Sequence, residues 1–341
     1  MGGIPERQTR TPREHPTWSS AESVKTSPKV ALFAWATLFF NIVVILWGAY
    51  VRATGSGAGC GNHWPDCNGL VVGASARTQT IIEFTHRMTS AVALLLVACL
   101  VIWCWRVTSK GDWARYSAMF AAVFMANEAL LGAGLVLLDY VAQNKSVGRI
   151  LLLCLHFGNT LLLLAALSLT ASWLSQGGRS LRLARSEQQA VAIGIGLLAT
   201  MAVGITGAIA ALADTLFPAT SLRTSLLLDF SGGAPALLHF RLLHPPIAII
   251  SACYVGWVIL TASMRQHHLS RLALVLIILL FAQPVIGMMN VFLLAPVWLQ
   301  ILHLFVADLL WITLVLASAD LLLERTKVRP RHNMPTPLSL G

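Results

Sequence analysis

Four histidines lie inside long apolar stretches of this sequence, where a polar ring is costly unless it has a partner. Each lies about six to ten residues from the start of its stretch: His86, His156, His244 and His303. A haem iron accepts two axial imidazoles from opposite sides, and facing helices of a bundle supply them. Two pairs at one depth therefore predict two haem sites. The alternative, ordinary hydrogen-bonded membrane histidines, explains the matched depths of all four less well.

A carboxylate lies one helical turn from the first of these histidines. Glu83 precedes His86 by three residues, so both side chains project from nearly the same helix face. Glu83 could form an ion pair with Arg87 or Arg52, or orient the imidazole. It could instead handle protons during an oxidation beside the macrocycle. These residues alone leave the choice open.

Cationic side chains near the same level are candidates for holding the carboxylate groups of a haem. A guanidinium binds a carboxylate through two parallel hydrogen bonds, although arginine is also common at membrane interfaces. The candidates are Arg52, Arg77, Arg87 and Arg241.

A glycine-rich segment between the first two apolar stretches contains Cys60 and Cys67. Both are expected outside the membrane in an oxidising compartment, which favours a short surface disulfide with a structural or a redox role. A zinc site formed with His63 is the alternative, but it lacks a fourth ligand.

One histidine assignment has a competitor in the same stretch. His239 lies closer to the outer surface than His244, and His244 is preferred because its depth matches that of His303. Pro245 and Pro246 follow directly, so a kink is expected there.

Composition places these residues in a membrane. The 341 residues are 56% hydrophobic and only 11% charged, which excludes an ordinary soluble protein. Eight stretches are long enough to cross a bilayer as helices, so the predicted fold class is an all-α integral membrane protein. The stretches are 30–52, 80–105, 116–138, 147–174, 190–212, 236–262, 271–292 and 297–322.

The distribution of basic residues predicts the orientation. With an even number of spans, most of the 24 lysines and arginines lie on the side that holds both termini, which is therefore expected to be cytoplasmic. The net charge of +10 then reflects topology and anionic membrane lipid, and no nucleic-acid partner is needed. The acids of residues 1–29 argue against a mitochondrial presequence and favour a bacterial inner membrane.

The eight spans look like two copies of one four-helix unit. Residues 130–138 resemble residues 285–294, and Leu155-His156 resembles Leu302-His303. An even number of helices per unit makes the two bundles parallel. The predicted organisation is a disordered cytoplasmic tail at 1–29, a first bundle at 30–174, a linker at 175–189, a second bundle at 190–322 and a cytoplasmic tail at 323–341.

Several motifs resemble those of the haem A synthase family. The most specific are Val51-Arg52-Ala53-Thr54-Gly55-Ser56-Gly57, Trp64-Pro65-Asp66-Cys67 and Glu83-Phe84-Thr85-His86-Arg87. Weaker ones follow in the expected order: Asn127 to Gly132, Leu155 to Thr160, Leu243-His244-Pro245, Pro296 to His303 and Ala307 to Trp311. The likeness covers the chain apart from its tails.

The resemblance implies a membrane oxidoreductase that oxidises the C8 methyl of haem O to a formyl group by successive hydroxylations. Haem A, the product, serves terminal cytochrome oxidases and their assembly. The resemblance assigns substrate haem O to His86 and His156, a resident haem b to His244 and His303, and catalysis to Glu83. Cys60 and Cys67 match the cysteine pair of the family's first loop.

The sequence departs from the family pattern in two places. Residues 213–235 contain no second cysteine pair, and proline follows His244 where arginine is frequent.

A farnesyltransferase that produces haem O is expected to deliver haem O to this protein, and self-association is left open. Two other classes stay open as well: a di-haem b-type electron-transfer cytochrome, which would not explain Glu83 or the cysteines, and a transporter with histidines along its path.

Overall fold

Eight long helices account for most of the computed structural model, which describes residues 28–67, 77–177, 181–183, 187–265 and 270–325. All eight are long and apolar enough to cross a membrane, so the predicted spans are confirmed to within a few residues. They are α1 Pro28–Ala53, α2 Thr78–Val107, α3 Trp113–Leu137, α4 Val147–Ser175, α5 Glu187–Leu216, α7 Ala236–Arg265, α8 Arg271–Phe292 and α9 Val297–Leu322, with the short helix α6 Leu222–Asp229 between α5 and α7.

Two short strands lie where a linker and a tail were expected. Strand β1 Leu181–Leu183 pairs antiparallel with β2 Leu323–Arg325, with Arg182 opposite Glu324. Most of the predicted tails, residues 1–27 and 326–341, lie outside the described residues. Helix α1 already begins at Pro28, two residues before the predicted start of the first span.

Short polar side chains begin several of the helices. Asp112 accepts a hydrogen bond from the backbone N–H of Ala114, at 2.9 Å, and begins α3. The Ser146 and Ser270 hydroxyls do the same for α4 and α8, accepting from N–H groups three residues ahead. These caps satisfy backbone donors that have no partner inside the helix.

The contacts between helices follow the same order in both halves of the chain. In the first unit, α1 to α4, each helix packs against the next and α4 closes back on α1. In the second unit, α5 with α7, α8 and α9, the contacts α5–α7, α7–α8, α8–α9 and α5–α9 repeat that ring. This arrangement is compatible with the predicted duplication.

Helices α3 and α8 also end in the same way. Asp139 and Leu294 both adopt left-handed backbone conformations, with φ of 56° and 60°. The next residue of each turn donates its N–H to a carbonyl five residues earlier, from Tyr140 to Leu135 and from Ala295 to Asn290. The two turns therefore share their left-handed residue and the hydrogen bond that closes them.

The two units pack through α1 and α4 of the first and α5 and α9 of the second. The first unit's apolar core extends across this boundary to Trp311, Ile312 and Val315 of α9. The indole N–H of Trp311, itself 3% exposed, donates to the carbonyl of Leu161 at 2.6 Å. One buried polar contact thus joins two otherwise apolar helix faces.

Replacing Trp311 by Phe tests this contact between the units. We expect W311F to lower the free energy of unfolding by about 1 kcal/mol, because a buried hydrogen bond and part of the packing are lost. Thermal unfolding of the purified protein in detergent measures the effect. Trp257 is 62% exposed on the outside of the helices, and W257F, the matched control, should leave the midpoint within error. Equal midpoints for W311F and wild type would contradict the expectation.

Candidate functional site

The four predicted histidines lie at similar depth in their helices. They are six to nine residues from the first residue of their helix: His86 in α2, His156 in α4, His244 in α7 and His303 in α9. At about 1.5 Å per residue they lie roughly 9–14 Å along their helix axes. The four helices share one direction in the chain's up-and-down order, so all four rings lie towards the same membrane face.

Each ring rests against a glycine of a neighbouring helix. A Cβ atom on Gly48 would lie 2.9 Å from Cε1 of His86, and one on Gly132 would lie 3.7 Å from Cε1 of His156. The second unit repeats the arrangement with Gly207 at 3.0 Å from His244 and Gly287 at 3.2 Å from His303. At three of the four positions, any larger residue would crowd the imidazole.

The structure brings the second histidine pair together. The ring centroids of His244 and His303 are 6.4 Å apart, with the ring planes perpendicular. A metal–imidazole bond of roughly 2 Å on each side gives a centroid separation of about 6 Å, so the spacing fits one iron held between the rings. The hydroxyl of Thr206 lies 3.2 Å from Nδ1 of His244, within hydrogen-bonding distance.

The competing histidine of α7 has a different partner. Nδ1 of His239 lies 3.0 Å from the backbone carbonyl of Asp229, at the end of α6. Helix α7 continues through Pro245 and Pro246 to Arg265. The preference for His244 over His239 stays a prediction, and the ring-to-ring distance supports it.

In the first pair, both rings have a buried nitrogen that no hydrogen bond satisfies among the described residues. These nitrogens are Nδ1 of His86 and Nδ1 of His156, and Nδ1 of His303 in the second pair is in the same situation. Imidazole rings that lack hydrogen-bond partners inside an apolar bundle fit the role of axial ligands.

Glu83 is buried, with 3% of its surface exposed, and both of its carboxylate oxygens have partners. Oε1 accepts from Nη2 of Arg87 at 2.6 Å, and Oε2 accepts from the backbone N–H of Cys60 at 2.8 Å. The ion pair that the sequence suggested for Glu83 is therefore present, and it is formed with Arg87. The carboxylate lies beneath the segment that contains the cysteines, one turn from His86.

The predicted disulfide joins Cys60 to Cys67, but it is buried where a surface bond was expected. The cysteines are 0% and 4% exposed, because the cysteine loop, residues 60–67, folds down onto α2. Arg87 also donates to the carbonyls of His63 and Asp66, each at 2.6 Å. Both sulfur atoms that a zinc site would need are used in this bond.

The three other candidate arginines lie in different surroundings. Arg52 crosses to the second unit, donating to the Ala211 carbonyl, to Thr215 and to Gln300. Arg241 pairs with Asp214 at 2.7 Å and also contacts Asp229. Arg77 is exposed at the start of α2. In this structure Arg52, Arg87 and Arg241 thus bind protein groups, and their role as carboxylate contacts for a haem stays a prediction.

Sequence reasoning gave no role to two carboxylates inside the helices. Glu128 in α3 has Oε1 3.4 Å from Nδ1 of His156, a contact that falls short of hydrogen-bond geometry. Asp308 in α9 is fully buried, and neither of its oxygens has a hydrogen-bond partner among the described residues. The available signal was a charged residue within an apolar span, which is rare and often functional.

The fold defines a class of protein: a multi-pass membrane protein with eight spanning helices among its described residues, in which four half-buried histidines lie towards one face of the membrane. A family model described as cytochrome oxidase assembly protein, COX15-CtaA, matches residues 31–315. The chain belongs to this family.

Curated relatives fall into two groups by name. A Thermus thermophilus protein named protoheme IX farnesyltransferase is 44% identical over 309 residues, covering 90% of this chain and 49% of that protein. Heme A synthase of Geobacillus kaustophilus is 38% identical over 137 residues, 40% of this chain and 41% of the relative. Heme A synthase of Alkalihalophilus pseudofirmus is 33% identical over 151 residues, which cover 44% of this chain and 48% of the relative. The chain thus spans about half the length, or less, of these curated relatives.

Gly59 tests how the cysteine loop packs on α2. A Cβ atom there would lie 2.5 Å from the backbone carbonyl of Gln79, so G59A must lift the loop. We expect faster reduction of the Cys60–Cys67 disulfide by dithiothreitol, measured by alkylating the released thiols. In the control G233A, the new methyl group meets nothing within 4 Å, and the rate should stay that of wild type. Equal rates in all three proteins would show that Gly59 is not needed for this packing.

Proposed function

We propose that this chain is a haem A synthase: a membrane oxidoreductase that converts a methyl group of haem O to the formyl group of haem A. Family membership and the relatives named heme A synthase support the proposal. The observation that carries it is the buried Glu83, one turn from His86, in a bundle where His86 and His156 lie at one depth.

In this proposal His86 and His156 hold the substrate haem O by its iron. The glycines behind them, Gly48 and Gly132, let the rings lie close to the neighbouring helices and limit their movement. A substrate held on both faces is fixed relative to Glu83. This positioning lowers the entropic part of the barrier.

Glu83 serves as the carboxylate that accepts protons from the reacting edge of the substrate. Oxidising a methyl group to a formyl group with one water releases four electrons and four protons. Arg87 and the Cys60 N–H hold the Glu83 carboxylate in place, and the cysteine loop limits access of bulk water to it. The proton-handling role, which the sequence left open, is thus part of the proposal.

His244 and His303 hold a resident haem b in the second unit. Their centroid distance of 6.4 Å and the close glycines Gly207 and Gly287 support this assignment. When bound, haem b supplies one-electron transfer. The second unit contributes a rigid pair of axial ligands and an apolar surrounding.

The setting of the reaction follows from the same proposal. The chain lies in a bacterial inner membrane with both termini in the cytoplasm, and its product is used in the assembly of cytochrome oxidase. A farnesyltransferase that makes haem O is the proposed donor. The Thermus thermophilus relative supports this pairing, because this chain matches about half of a protein named for that activity.

Glu83→Gln tests the proposed chemistry. The chain is expressed with a supply of haem O, and the extracted haems are separated by chromatography. We expect haem A from wild type and at least about a hundredfold less from E83Q. The loss of an acid–base group typically lowers a rate by about a hundredfold to ten-thousandfold. The first-unit haem should still be bound in E83Q, because the axial histidines are intact.

Glu187→Gln is the matched control, since Glu187 is an exposed carboxylate in the first turn of α5. This variant should make as much haem A as wild type. Haem b alone from wild type, despite available haem O, would instead support the di-haem electron-transfer cytochrome.

Gly207→Ala tests the resident haem site. The added methyl group would lie 3.0 Å from Cε1 of His244 and displace the ring. We expect a lower haem b content per protein, measured by the pyridine haemochrome spectrum. Gly194→Ala on the same helix adds a methyl group that meets nothing within 4 Å, and its haem content should be normal. Because alanine favours a helix over glycine in both variants, helix propensity cannot explain a loss.

A further inference from the structure

Glu128 of α3 is held against α4 by Asn159 and Thr160, which lie about one helical turn after His156. Its Oε2 accepts from Nδ2 of Asn159 at 2.5 Å, and its Oε1 accepts from the hydroxyl of Thr160 at 2.5 Å. The Asn159 amide is itself fixed by the Phe124 carbonyl at 2.8 Å. Three contacts thus keep one carboxylate oxygen 3.4 Å from Nδ1 of His156.

The contact with His156 is longer than a hydrogen bond to a carboxylate by at least about half an ångström. Nδ1 of His156 is buried and has no other partner among the described residues. An N–H···O bond to a carboxylate is formed at about 2.7–2.9 Å, so Glu128 is the group placed to accept from this nitrogen if the two approach more closely. A histidine that binds a metal through one nitrogen usually donates the other N–H to such a group.

The second unit has a neutral side chain at the matching place. Gln283 precedes Gly287 by four residues, as Glu128 precedes Gly132. Its Nε2 donates to the backbone carbonyl of His303 at 3.0 Å, whereas its Oε1 is buried without a partner among the described residues. The two units therefore differ in charge beside otherwise similar histidines.

We propose that Glu128 is a positioning residue which, through His156, makes the first site favour oxidised iron more strongly than the second site, where Gln283 replaces it. This inference rests on the proposed function, since it requires haem at both histidine pairs. A carboxylate that accepts the Nδ1–H of an axial histidine makes the ligand more basic and stabilises ferric iron. An amide has no net charge and does not.

The charge difference gives a direction to electron transfer. With haem bound at both pairs, the one held by His86 and His156 would have the lower reduction potential. Electrons released there would pass singly to the one held by His244 and His303, and from it to a one-electron acceptor outside this chain. The interior of the bundle is poorly screened, which strengthens the influence of a single carboxylate on a nearby iron. Glu128 thereby complements Glu83, which is placed to take protons.

A redox titration of the purified holoprotein, followed by visible spectroscopy, tests this proposal. We expect E128Q to raise the midpoint potential of the first-unit haem, which is identified by its loss in H86A. The expected shift corresponds to about a tenfold change in the ferric-to-ferrous ratio at a fixed potential, or about 59 mV for one electron. The second-unit potential should not change.

The reciprocal variant Q283E is the matched test in the other unit. It places a carboxylate beside His303, and we expect the second-unit potential to fall while the first stays constant. If E128Q does not retain its first-unit haem, Q283E decides the question: an unchanged second potential overturns the proposal.

The outcomes separate this inference from the proposed function. Unchanged potentials in both variants, with haem bound and haem A still formed, would overturn the role of Glu128 and leave the synthase intact. If wild type contains no haem that depends on His86, the proposed function itself fails. A merely structural role for Glu128 would change stability without moving a potential.

Discussion

An imidazole inside an apolar helix bundle must have a partner, and this constraint organises the structure. Water is absent there, so a ring nitrogen left alone costs free energy. The chain places four such rings at one level and lets helices approach them closely at Gly48, Gly207 and Gly287. The backbone of a neighbouring helix therefore limits how far each imidazole ring can move. A metal held between the two rings of a pair would take one nitrogen of each ring and leave the other to a neighbouring side chain.

The outer end of the first unit depends on a second constraint, that a buried carboxylate needs donors. Glu83 obtains them from Arg87 and the Cys60 N–H, and Arg87 in turn binds carbonyls of the cysteine loop. The cysteine loop, helix α2 and the Glu83 carboxylate are therefore joined by one hydrogen-bond network. Arg52 links this end to α5 and α9 of the second unit through three hydrogen bonds. The end of the first unit that holds Glu83 therefore also contributes, through Arg52, to the contact between the units.

The sequence predicted what depends on local composition and missed what depends on packing. The eight spans follow from apolar length, and Cys60 and Cys67 follow from their expected position outside the membrane. The burial of that disulfide, by contrast, requires Arg87 to bind loop carbonyls from another element. Glu128 could be recognised as unusual in an apolar span, but its distance from His156 depends on how α3 and α4 rotate about their axes. Helix α6 and the β1–β2 pair are too short for a periodic signal.

The common direction of α2, α4, α7 and α9 has a consequence for energetics. Moving one charge across a bilayer costs or releases about 2.3 kcal/mol per 100 mV of membrane potential. Because all four histidines lie towards one face, a line between the two pairs runs nearly parallel to the membrane plane. In the proposed function, an electron that travels along this line crosses almost none of the electric field. The proposed exchange between the two sites is therefore insensitive to membrane voltage.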